Sequence, residues 1–164
     1  MRTTDDRLLA SGESLKSALE VDIAGHEPEW AERARVALIH IENTLRQHIA
    51  EVEAPAGLLA TEVDLTRPSL VREVSKLRRE HQDLLEKAAA LREQVEAAGQ
   101  AFQPIIEGAS AACALPEPAQ HAGVINLGQL RDSIEQFLAA LLKHREREAD
   151  LTLESVTTDL GAGD

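Results

Sequence analysis

Aromatic side chains are nearly missing from this chain. Trp30, Phe102 and Phe137 are the only three in 164 residues, and tyrosine is absent. That scarcity removes the stacking platforms on which single-stranded nucleic acids are held. Basic residues are short too. A formal charge of -12 has the wrong sign for counterion release from phosphates and for docking on anionic membranes. A lone cysteine, Cys113, excludes an intramolecular disulfide. No apolar run approaches the roughly 20 residues of a membrane span. The opening residues Met1-Arg2-Thr3-Thr4-Asp5-Asp6 lack the apolar centre of a signal peptide. No Gly-rich phosphate loop is present, and no nucleophile motif surrounds a serine or the cysteine. The expectation is a cytoplasmic protein that is not an enzyme and binds neither nucleic acid nor membrane.

What the chain does contain is alanine, leucine, glutamate and arginine, all good helix formers. Its length suits one domain, 1–164, with room for a core. Helices are expected at about 5–22, 28–54, 67–98 and 127–160, giving an all-α, up-down four-helix bundle. Pro28 suits a first helical turn, Pro55 and Gly57 stop the second helix, and Thr66 is placed to cap the third. Gly99 marks the end of the third. Leu58, Leu59, Val63 and Leu65 suggest that the connector after the second helix folds over one end of the bundle. The proline- and alanine-rich stretch at 103–124 is too long for an ordinary helix–helix loop and reads as a mobile connector.

Apolar residues recur at alternating steps of three and four, which keeps them on one helical face. On the second helix the stripe is Trp30, Ala34, Ala37, Ile41, Leu45, His48 and Val52. On the third it is Leu70, Val74, Leu77, His81, Leu84, Ala88, Leu91 and Val95. On the fourth it is Leu127, Leu130, Ile134, Phe137, Leu141, His144, Glu148 and Leu151. Three imidazoles and one carboxylate thus point where the leucines point. A buried polar group needs a partner, and these four could satisfy one another through a shared metal ion.

Spacing tests that idea. His81 stands 17 residues before Ala98 and His144 stands 17 after Leu127. At the helical rise both lie roughly 25 Å from the joining turn, hence at one level of an antiparallel pair. His48 fits less directly, because the connector after the second helix must climb the difference in height. Neutral imidazoles with carboxylates suit iron, zinc, copper or manganese. His144 and Glu148, at i and i+4, can reach one ion from a single helix. Glu51 lies one turn beyond His48, and Glu80 is placed to fix an imidazole tautomer. Each histidine also has a plainer reading, a half-buried ring hydrogen-bonded to a nearby carboxylate or carbonyl. His40 falls on a helix flank, while His26 and His121 fall in connectors. Trp30 reads as a core anchor.

The segments Leu45-Arg46-Gln47-His48-Ile49-Ala50-Glu51-Val52-Glu53, Leu77-Arg78-Arg79-Glu80-His81 and Leu141-Leu142-Lys143-His144-Arg145-Glu146-Arg147-Glu148 resemble the hemerythrin-like, or HHE cation-binding, domain. The resemblance covers roughly 30–150. It implies a hemerythrin-like four-helix bundle holding non-haem iron and serving oxygen binding, iron handling or redox sensing. It nominates His48, His81, His144 and Glu148 as ligands, with Glu51 or Glu53 as the second-helix carboxylate. The family pattern also has a histidine on the first helix, where residues 5–22 contain none, and a second one on the third helix, where this chain has Leu85. His26 could stand in for the first. The expected ligand is therefore mononuclear or dinuclear iron, or zinc, with dioxygen or another small diatomic as a further partner. The alternative is a metal-free bundle that binds a protein partner or a second copy of itself. An oxidoreductase acting on oxygen or nitric oxide is a third reading.

Overall fold

The computed structural model describes residues 4–57, 59, 68–102 and 126–159. It is an all-α four-helix bundle of α1 (Thr4–Leu19), α2 (Glu27–Val52), α3 (Pro68–Phe102) and α4 (Leu127–Asp159), with no strand among the described residues. Thr66, Cys113, His121 and the connector at 103–124 lie outside them. No helix there is long and apolar enough to cross a membrane.

Local chemistry sets the helix ends. Asp22 accepts a hydrogen bond from the Ala24 amide at 3.2 Å, and Gly25 takes a positive φ of 80°. That left-handed residue turns the chain between α1 and α2 at low steric cost. Pro28 sits in the first turn of α2, as its missing N–H allows. At the other end of α2, the Glu53 amide donates to the Ile49 carbonyl at 2.9 Å. Gly57 then folds so close that a Cβ there would lie 2.3 Å from the Glu51 carbonyl oxygen. Asn126 caps α4 with its side-chain oxygen, 3.1 Å from the Gln129 amide.

Two boundaries differ from the sequence expectation. α1 ends at Leu19 rather than near residue 22, and α3 continues through Gly99 to Phe102. A Cβ on Gly99 would lie 3.4 Å from the Ala31 Cβ. Glycine here lets α3 approach α2 closely, and packing overrides its helix-stopping tendency.

Packing is antiparallel. Ala31 meets Gly99, Glu42 meets Arg92 and His48 meets His81 along α2 and α3. Gly12 of α1 lies against Leu138 of α4, closing the circle. The stripes point inward as the periodicity requires. The main core includes Leu8 and Leu15 of α1, Trp30 and Ile41 of α2, Leu84 and Val95 of α3, and Ile134 and Phe137 of α4. Each fully buried large side chain contributes about 1.5–3 kcal/mol. A second, smaller cluster comprises Leu59, Leu70, Val74, Leu77 and Leu151, with Val52 against it. Leu59 thus does cover this end; Leu58, Val63 and Leu65 fall outside the described residues. One buried charge interrupts the main body: Glu42 pairs with Arg46 on its own helix and with Arg92 Nε of α3 at 3.2 Å.

Candidate metal centre

Between the two apolar clusters lies a polar layer. His48 follows Leu45 of the main core and precedes Val52 at the smaller cluster; His81 lies between Leu77 and Leu84; His144 and Glu148 lie between Leu141 and Leu151. All four are buried. The helical repeat that carries leucines inward carries these side chains inward as well.

The expected convergence occurs. One ligand atom from each of His48, His81, His144 and Glu148 lies within 4.8 Å of all the others. The His81 and His144 ring centroids are 4.6 Å apart, and those of His48 and His81 are 5.7 Å apart. The climb that His48 needs is made between α2 and α3, and the residues that overhang it form the smaller cluster.

Glu148 is the hub. Its Oε2 lies 3.0 Å from His48 Nε2, and its Oε1 lies 3.2 Å from His81 Nε2 and 3.5 Å from His144 Nε2. The last contact falls outside hydrogen-bond geometry, so His144 Nε2 is a buried ring nitrogen with no hydrogen bond. Buried polar atoms are normally satisfied, and this one faces the centre of the group.

The outer nitrogens meet a second set of carboxylates. His81 Nδ1 lies 2.7 Å from Glu53 Oε1, and His144 Nδ1 lies 3.0 Å from Glu80 Oε2. Glu80 also pairs with Arg147. Burial alone would raise the Glu148 pKa, but the imidazoles of His144, His48 and His81 outweigh it and hold this carboxyl well below its usual range. Burial likewise lowers the basicity of His144, and the carboxylates of Glu148 and Glu80 overcome that to hold its pKa above the ordinary imidazole value.

Four of the five residues expected at the site are therefore brought together. Glu51 is exposed and is not among the converging group, although the helical turn places it near His48. The second-helix carboxylate that touches an imidazole is Glu53, the residue that caps α2. His26 is exposed, with Nδ1 3.3 Å from the Ala24 carbonyl oxygen, and His40 is exposed on α2. The pairing of Glu42 with Arg92 went unread in the sequence; the i, i+4 spacing of Glu42 and Arg46 was its one visible signal.

The donor set is chemically apt for a metal ion. Three imidazole nitrogens and a carboxylate oxygen are borderline-to-hard ligands that suit iron or zinc. The inward Nε2 atom of His144, lacking a hydrogen bond, fits such an ion. No protein-family model, curated protein or solved structure matches the chain.

Proposed function

We propose that this protein is a hemerythrin-like metal-binding bundle that holds non-haem iron or zinc and senses or stores metal, oxygen or redox state. The observation that carries the reading is the convergence of four buried ligand atoms from three helices within 4.8 Å. Apolar side chains at these stripe positions would have made a more stable core than a half-satisfied polar layer. His48, His81, His144 and Glu148 would hold the ion. Iron would supply reversible one-electron chemistry and an affinity for small diatomic molecules; zinc would supply fixed positive charge. The protein's own contribution is to bury the donors and to fix two of the rings through Glu53 and Glu80.

Elemental analysis after anaerobic ferrous loading, and separately after zinc loading, tests this directly. Stoichiometric metal is expected in at least one case. Less than a tenth of an equivalent in both would overturn the proposal. Catalytic consumption of oxygen or nitric oxide by the ferrous form would move the reading to an oxidoreductase.

A second reading has its own observation. Glu148 accepts from His48 and His81 without any ion, so the layer partly satisfies itself. On that reading the bundle is a metal-free protein-interaction module, and chelators leave its stability unchanged.

A further inference from the structure

The charged groups that touch the rings limit what the layer can hold. Inside stands one carboxylate, Glu148, in contact with His48, His81 and His144. Outside stand Glu53 against His81 and Glu80 against His144, with Arg147 beyond Glu80. Buried charge must be compensated nearby, or its desolvation goes unopposed. With neutral imidazoles, one divalent ion brings this set to neutrality. A second divalent ion would leave two positive charges without a counterpart. Its ligands are lacking as well, since Glu53 and Glu80 are engaged on the outer nitrogens.

The same contacts fix which nitrogen each ring presents. A carboxylate facing Nδ1 holds the proton there, because a carboxylate can only accept. The lone pair of His81 and of His144 is then on Nε2, the atom that faces Glu148.

We infer that the layer binds a single divalent cation through Nε2 of His48, His81 and His144 and the carboxylate of Glu148, with Glu53 and Glu80 as positioning residues. This rests on the metal-binding reading above. Glu53 and Glu80 each act through a histidine and do not touch the ion. They divide the work: Glu53 comes from the cap of α2 and holds a ring of α3, whereas Glu80 comes from α3 and holds a ring of α4. Each therefore sets a ligand on the next helix rather than its own.

Equilibrium dialysis of the full chain against Zn²⁺ and Co²⁺, with the visible spectrum of the cobalt form, tests the inference. Wild type should bind one ion per chain. Glu53→Gln and Glu80→Gln should each weaken binding about 10–100-fold and shift the cobalt bands, while Glu146→Gln, an exposed change of equal charge on α4, should do neither. Melting of the metal-free variants separates altered affinity from lost structure. Should either glutamine variant fail to fold, the aspartate variant, which withdraws the carboxylate by one methylene, should weaken binding in the same way. Two ions per chain, or wild-type affinity and spectrum in both variants, would overturn the inference while leaving metal binding intact. No metal in wild type would instead remove the reading beneath it.

Discussion

The two apolar regions of this bundle are built on different principles. The main body draws side chains from all four helices and closes on Trp30, Ile41, Val95 and Ile134. The smaller cluster draws on α3, α4 and the connector residue Leu59, with Val52 of α2 against it and no residue of α1. Between them the polar layer replaces apolar packing at the level of His81. A body of this kind is stable by burial alone, whereas the far end communicates with it through imidazoles and carboxylates. The difference teaches that the layer is not the fold's necessity. Leucine or alanine at those stripe positions would satisfy the same periodicity, so the polar choice points to a ligand.

Breaking the layer outright should have the largest effect. A His81→Ala, His144→Ala double variant removes two of the four donors and should lose all stoichiometric metal by elemental analysis; an unchanged metal content would defeat the assignment. Next comes the body. Ile134→Ala leaves a cavity in a fully buried position and should cost about 2–5 kcal/mol in a urea melt, with or without metal. Leu77→Ala in the smaller cluster should cost less in the loaded protein than in the metal-free one, since the ion ties the same helices together. Equal losses in both forms would show that the far end does not depend on the layer. Loading itself should then raise stability by about 2.7 kcal/mol at a free metal concentration 100 times the dissociation constant, and a chelator should reverse it.

Acidity sharpens the contrast between the two forms. Glu148 titrates below its ordinary value near 4.5 in the folded chain, so its contribution is present above that value and lost on acidification. His144 titrates above its ordinary value near 6.5, so its contribution is complete below that value and fades as pH rises through the raised one. The metal-free layer should therefore stabilise the fold most between these two values. The loaded protein should run the other way above them, because an ion requires deprotonated imidazoles. Thermal melts from pH 4 to 9, with and without metal, would reveal whether the two curves diverge. Smallest of all should be Glu51→Gln, which alters an exposed carboxylate outside the converging group; a tenfold loss of metal affinity would return Glu51 to the site.

The helical repeat alone located His48, His81, His144 and Glu148, because side-chain direction along a long helix is fixed by a period of 3.6 residues. Equal spacing from a shared turn also placed His81 and His144 at one height. Glu53 was harder to read. It caps α2 with φ -90° and ψ -2°, at the point where the helical wheel stops assigning directions. Glu51 lies within the helix and therefore looked better placed on paper. Glu80 follows the repeat, but its partner is a ring on the neighbouring helix, and no spacing within α3 could name it.

Sequence by itself determined that this chain makes four helices and which face of each is buried, since both follow from local propensity and periodicity. It also determined that three imidazoles and a carboxylate would be turned away from water. Only the tertiary structure decided that His48 rises to meet the other two, that α3 runs past Gly99 against Ala31, and that Glu53 and Glu80 seat the rings. Those outcomes depend on how far one helix slides along another and on where the chain turns between them, and such relations join residues too distant in sequence for any local rule to connect.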